Sequence, residues 1–134
     1  MRRTKANLSL ITLGLVLGMT VTTGCSGDRK QIAISIDVEN PKIEFALDEI
    51  KVAFLEKGVE VRVNDNGSAD IVFSLQPEHA GLKPEGFSIQ RDSESTHVIG
   101  TDAAGAMYGG LELAEQVRLY GIDGVKETTQ NPYM

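Results

Sequence analysis

Aromatic residues are scarce: the 134-residue chain has no tryptophan, three tyrosines and four phenylalanines. Most of the phenylalanines fall at positions of apolar periodicity, so little is left to build a platform on which a sugar ring could stack. Cysteine occurs once, at Cys25, which excludes a disulfide within the chain. Histidine occurs twice, at His79 and His97, with no HExxH spacing and no second cysteine, so the ligand set of a zinc site is missing. No serine stands in a Gly-x-Ser-x-Gly turn, and no Ser–His–Asp order stands out. The run Gly100-Thr101-Asp102-Ala103-Ala104-Gly105 has the glycine spacing of a phosphate-binding turn. Ala106 follows it where a phosphate-gripping lysine would be needed, and close helix packing explains the glycines better.

Positive charge is also short. Thirteen Lys and Arg face nineteen Asp and Glu, for a net charge of −6. That balance excludes a phosphate-backbone binder, which needs clustered cations, and it reads as solubility. With nineteen acids some pair always looks suited to glycoside hydrolysis. Asp37 and Glu39, on one face at the end of the first strand, are that pair here, and they are expected to be a solvated strand end leading into a helix cap.

No apolar run is long enough to cross a bilayer comfortably. Leu8 to Val21 is uncharged but diluted by Thr12, Gly14, Gly18 and Thr20, where a span needs about 20 apolar residues. Arg2, Arg3 and Lys5 precede it, the layout of an export signal. The following Val21-Thr22-Thr23-Gly24-Cys25 resembles a bacterial lipoprotein signal, with Thr22 where leucine is usual. The resemblance implies that the Cys25 thiol takes a diacylglycerol and becomes the new N-terminus; the alternative is an unmodified thiol. Removal of residues 1–24 takes away three cations and no anion, leaving ten Lys and Arg against nineteen acids, a net charge of −9. The remainder suffices for one modest core but not for a barrel of about 250 residues.

The periodicity that remains is that of an α+β domain. Ile32, Ile34, Ile36 and Val38 alternate with Ala33, Ser35 and Asp37, predicting a half-buried strand over Gln31–Val38. Asn40-Pro41 starts a helix, asparagine as cap and proline at the first helical position. Ile43, Ala46, Leu47, Ile50 and Phe54 form its apolar stripe, and Gly58 ends it. Val59–Val63 and Ile71–Leu75 predict two further strands about an Asn64-Asp65-Asn66-Gly67 turn. After a Pro- and Gly-bearing loop from Gln76 to Gly86, Phe87–Gln90 and Thr96–Thr101 predict a hairpin across Asp92-Ser93-Glu94-Ser95. A second helix is expected from Thr101 or Asp102 to about Tyr120, with Met107, Leu111, Ala114 and Val117 inward and Gly121 as its stop. Its first half is glycine-rich, which costs about 1 kcal/mol per glycine relative to alanine and calls for a backbone pressed against the sheet. The polar tail from Val125 to Met134 has no assignable partner. The expected architecture is a mixed or mostly antiparallel sheet of four to five strands with two helices on one face.

Three segments carry a resemblance: Pro84-Glu85-Gly86-Phe87-Ser88-Ile89-Gln90-Arg91, Thr96-His97-Val98-Ile99-Gly100-Thr101-Asp102, and Gly105-Ala106-Met107-Tyr108-Gly109-Gly110-Leu111 through Gln116. They resemble the N-terminal accessory domain of alpha-glucuronidases and beta-N-acetylhexosaminidases, a zincin-like α+β fold without a catalytic centre that stands beside a TIM barrel. The resemblance implies that Tyr108-Gly109 serves packing, and that the acid, base and sugar-binding residues belong to the barrel. It implies no catalytic, cofactor-binding or metal-binding residue in this chain.

The expected organisation is a signal peptide over 1–24, a lipidated Cys25 and tether over 25–30, an accessory domain over 31–124, and a linker toward a catalytic barrel over 125–134. The expected function is a non-catalytic accessory domain of a polysaccharide-degrading enzyme. It would be exported and anchored as a lipoprotein, on the periplasmic side or at the outer-membrane surface. The expected partners are a membrane, through the lipid on Cys25, and a catalytic barrel in the same or a neighbouring chain, with a polysaccharide as a further candidate. A stand-alone glycan- or protein-binding lipoprotein is the alternative.

Overall fold

The computed structural model describes residues 30–63 and 68–133. The signal-like segment, Cys25 and the Asn64-Asp65-Asn66-Gly67 turn lie outside the described residues. The chain runs β1 (Gln31–Ile36), α1 (Pro41–Glu56), β2 (Glu60–Val63), β3 (Ile71–Leu75), β4 (Phe87–Arg91), β5 (Thr96–Gly100), α2 (Ala103–Tyr120), a 3-10 turn (Ile122–Gly124) and β6 (Thr128–Gln130).

One sheet holds all six strands in the order β2-β1-β3-β5-β4-β6. It is mixed. The pairings β2 with β1, β1 with β3 and β3 with β5 are parallel, and those of β5 with β4 and β4 with β6 are antiparallel. The sheet thus has one strand more than the four to five expected. Thr-Thr-Gln offers neither length nor apolar alternation to mark β6, and nonlocal pairing rather than intrinsic preference makes it a strand.

Register shows why one face is apolar. Ile34 lies beside Ile71, Phe73 beside Val98, and Ile89 beside Val98, so the inward positions line up across the sheet. Both helices supply the matching surface. In α1 the expected stripe of Ile43, Ala46, Leu47, Ile50 and Phe54 is buried, joined by Ala53. Phe54, Ile34, Ile50, Ile71, Ile89, Leu113, Val98 and Val117 are the largest fully enclosed side chains, each worth about 1.5–3 kcal/mol of transfer free energy. The ends of α1 follow the sequence: Asn40 Oδ1 accepts from the Lys42 N–H at 3.0 Å and Pro41 opens the first turn. Gly58, at φ 73°, lies just past its end.

The inward side of α2 differs from expectation. Ala114 and Val117 are buried as predicted, but Met107 and Leu111 are only half-buried, and the contact row is Ala106, Gly109, Gly110, Leu113 and Gln116. The glycines are the reason. A Cβ at Gly110 would lie 2.7 Å from the Ala46 Cβ and 3.1 Å from the Phe73 ring, and one at Gly109 would lie 2.8 Å from Val98 Cγ1. Removing side chains there brings the α2 backbone against both sheet and α1, which leaves Met107 and Leu111 on the flanks. The expected reason for a glycine-rich helix is present. Arg118 then clips the two helices together, with Nη2 2.9 Å from Glu49 and Nε 3.6 Å from Glu56.

The tail is folded onto the domain. Val125 is 4% exposed and belongs to the core. The buried Gln116 side chain accepts from the Lys126 N–H at 2.7 Å and donates to Thr128 Oγ1 at 3.1 Å. Arg91 Nη1 donates to the Asp123 and Val125 carbonyls at 3.0 Å each.

Candidate functional site

A concavity lies between α2 and the last described residues. It is an open cleft of about 490 Å³, and its lining includes Glu85, Tyr108, Glu112, Glu115 and Tyr133. Tyr108 is 46% exposed. It stands on the outer side of α2, opposite the row that meets the sheet, so the packing role expected of the Tyr108-Gly109 pair falls within this domain to Gly109 alone. Glu85 is the non-glycine residue with positive φ, 61°, among the described residues. Its N–H donates to Asp102 Oδ2 at 2.9 Å, while Asp102 Oδ1 accepts from the Gly105 N–H at 2.8 Å as the cap of α2. One carboxylate therefore fixes both the helix start and the left-handed residue at the cleft rim.

The outer faces of the helices expose large apolar side chains. Phe45, Val52 and Leu55 on α1 and Leu119 and Tyr120 on α2 are about half or more exposed. The Lys126 ammonium sits 5.3 Å over the Tyr120 ring, a cation–π contact that covers part of it.

The sheet's other face is mixed: Ser35, Ser74, Ser88, Gln90 and His97 share it with Val72 and Ile99, and Ser88 and Ile99 are buried there. The Gln76–Gly86 loop is tied to it: His79 Nδ1 lies 2.9 Å from Gln76 Oε1, and Gln90 Nε2 lies 3.4 Å from His79 Nε2. His97 is one strand away, its Nε2 2.8 Å from Asp92 Oδ2 in the β4–β5 turn. The Asp92 carboxyl is held at about 2, below the ordinary 3.8, first by the Glu94 backbone N–H, then by that of Ser95, then by His97. Oδ1 receives the two N–H groups at 2.8 and 2.7 Å.

A folded-state value below the unfolded one means that Asp92 adds stability in full above pH 3.8, and that this is lost as pH falls through about 2. Urea midpoints of the parent and Asp92→Ala are accordingly expected to differ most above pH 3.8 and to draw together as pH falls through about 2. A gap that stays constant across that range contradicts the assignment.

The residues singled out in the sequence do not come together. Asp37 and Glu39 are exposed in the connection between β1 and α1. His79 is occupied by Gln76 and Gln90, and His97 by Asp92. No group of three or more His, Cys, Asp or Glu among the described residues could hold a metal ion. At the phosphate-like turn, a Cβ on Gly105 would collide with the Gly86 carbonyl oxygen and one on Gly100 with the Ala106 backbone nitrogen. Backbone contact is the role of both glycines. Cys25 lies outside the described residues. The cleft itself was missed, because Glu85, Tyr108 and Tyr133 come from separate segments and share no periodic pattern. The non-glycine before Gly86 in a proline-bearing turn was the one weak signal.

The structure defines a mixed-sheet α+β domain with both helices on one face and an open acidic and aromatic cleft beside the second helix. No protein-family model and no curated protein matches the chain, whereas solved structures do. A GH138 enzyme targeting pectin rhamnogalacturonan II superposes with a TM-score of 0.61 at 26% identity, over 74% of this chain and 15% of that one. A GH115 4-O-methyl-alpha-glucuronidase with specificity for decorated arabinogalactans superposes with a TM-score of 0.56 at 21% identity, over 65% of this chain and 13% of that one. A beta-hexosaminidase of Streptomyces plicatus gives 0.48 at 17% identity, over 63% and 16%. The chain thus spans a small part of the length of the solved chains it resembles, and the first of these likenesses relates it to a glycoside hydrolase.

Proposed function

We propose that this chain is a non-catalytic accessory domain of a glycoside hydrolase, exported as a lipoprotein through Cys25, and that a catalytic domain docks on the outer faces of α1 and α2. The observation that carries the reading is the GH138 superposition, which takes up most of this chain and 15% of the enzyme. The rest of such an enzyme is where its chemistry has room to lie. The scatter of Asp37, Glu39, His79 and His97 over separate surfaces supports the same division of labour. A half-exposed Phe45 and a Leu55 that is 70% exposed are what a domain interface would cover, since apolar area left in water forgoes about 25 cal/mol per Å².

Two measurements test this. The full chain, incubated with aryl glucuronides, aryl hexosaminides and rhamnogalacturonan II, is expected to release no sugar; turnover abolished by Asp37→Ala or His97→Ala would overturn the non-catalytic assignment. Metabolic labelling with palmitate is expected to mark the chain and to fail on Cys25→Ser, and labelling that survives the substitution removes the anchor.

A stand-alone glycan-binding lipoprotein is the second reading, favoured by Tyr108 and Tyr133, which both line the cleft. Calorimetric binding of an oligosaccharide that Tyr108→Ala abolishes would select it over the first.

A further inference from the structure

Strand β2 ends the sheet, and among the described residues it pairs on one side only, with β1. The Glu60 N–H donates to the Lys30 carbonyl at 3.1 Å. Because successive residues of a strand aim their backbone groups to opposite sides, the N–H and C=O of Val61 and the N–H of Val63 point away from the sheet. The Val59 N–H is spent on the Phe54 carbonyl at 2.9 Å, but its own carbonyl lies on the outward side. Side chains at this edge are uncovered: Val63 is 40% and Leu55 70% exposed. Leu55, Val59 and Val61 line an open groove of about 360 Å³ between the end of α1 and the edge.

The sequence of this edge, Val59-Glu60-Val61-Arg62-Val63, is symmetric about Val61 in apolar character and antisymmetric in charge. We propose that β2 pairs antiparallel with β2 of a second copy of this chain, about a twofold axis through Val61. In that register Val61 faces Val61, Val59 faces Val63, and Glu60 faces Arg62 at both ends. The two Val61 residues exchange a pair of backbone hydrogen bonds, and each Val63 N–H reaches the opposing Val59 carbonyl. The valines extend the inward face of both sheets, so the groove by Leu55 of each copy gains cover, and the product is one continuous sheet with twice the strands.

The charges select both the partner and the register. Shifting the axis to Glu60 or to Arg62 sets like charges directly opposite, which is destabilising. A one-residue slip would turn valines to the polar face. A parallel, in-register pairing would stack glutamate on glutamate and arginine on arginine. Edge strands are commonly protected by charge against foreign strands, and here the same two charges exclude strangers while complementing a copy.

The test uses the full chain with Cys25→Ser, so that an introduced cysteine is the only one. Val61→Cys is expected to link to its own copy under mild oxidation, because facing hydrogen-bonded residues lie about 5.5 Å apart at Cα, within disulfide range. Val63→Cys is expected not to link to itself, its twin being about 13 Å away at the strand rise of about 3.3 Å per residue, but to link when mixed with Val59→Cys. In sedimentation equilibrium, Glu60→Arg and Arg62→Glu are each expected to weaken the dimer about tenfold through two like-charge contacts, and the double exchange Glu60→Arg/Arg62→Glu to restore it. Glu60, Arg62 and Val63 are exposed, so far-UV circular dichroism of their variants should match the parent. A chain that stays monomeric, equal self-linking at positions 61 and 63, or a double exchange no tighter than either single one overturns the proposal.

Discussion

Phe54→Ala is expected to remove about 4 kcal/mol of folding stability, within the range found for emptying a buried phenylalanine site. Phe54 is 1% exposed and is among the largest fully buried side chains. It belongs to the last full turn of α1, and its carbonyl receives the N–H groups of both Lys57 and Val59 at 2.9 Å. Collapse into the vacated space would therefore have to move the helix end and the start of β2 together. Domains of this size hold about 5–15 kcal/mol in all, and the melting midpoint should fall by about 20 °C. The neighbour Leu55, 70% exposed, supplies the control: Leu55→Ala should stay within about 0.5 kcal/mol. Urea unfolding of both variants measures the contrast, and a Phe54→Ala loss below about 1.5 kcal/mol would mean that the core is looser than the structure describes.

Gly105→Ala is expected to destabilise by about 3 kcal/mol, in the upper range for forcing atoms into a packed site. Intrinsic preference predicts the opposite sign, since alanine favours a helix over glycine by about 1 kcal/mol. Packing decides. The added Cβ would strike the Gly86 carbonyl oxygen and come within 3.1 Å of the Gly86 carbonyl carbon and 3.2 Å of that of Glu85. These are backbone atoms that cannot rotate aside, and the same oxygen already accepts the Thr101 N–H at 3.1 Å. Relief would have to unseat either the cap of α2 or the turn that carries Glu85. A stabilised Gly105→Ala in thermal unfolding would show that this turn yields freely.

Local chemistry was legible in the sequence. Asn40-Pro41 at the head of α1, the stripe ending at Phe54, the Asp92–Ser95 turn and Asp102 as the cap of α2 all stand where the residue types place them. Each depends on neighbours a few positions away, which is the range over which capping and periodicity act. What depends on distant segments was not legible. Alternation marks β1 and β3 as strands but does not say that they run parallel. β6 is a strand only because β4 offers it an edge and Gln116 a hydrogen-bonding partner. Met107 and Leu111 were placed inward by hydrophobicity alone, and the missing side chains of Gly109 and Gly110 shifted the contact row toward themselves. The cleft shows the same limit, since its carboxylates and tyrosines converge from three places in the chain.

The pairing pattern also sets a timetable. Only β4 and β5 are joined by a short turn; Ile34 must find Ile71, Ile71 must find Thr96, and Ile89 must find Thr128. Loops of those lengths have to close before their contacts return anything, which slows assembly. The β4–β5 hairpin is the natural nucleus, able to form within microseconds, with β3 and then β1 adding on one flank. Until the residues of β6 have arrived, β4 is a bare margin and the Val125 niche stands empty. A chain synthesised from its N-terminus therefore cannot finish its sheet before nearly every residue described here has been made, and this interval of incompleteness is when it is most open to a chaperone or a protease.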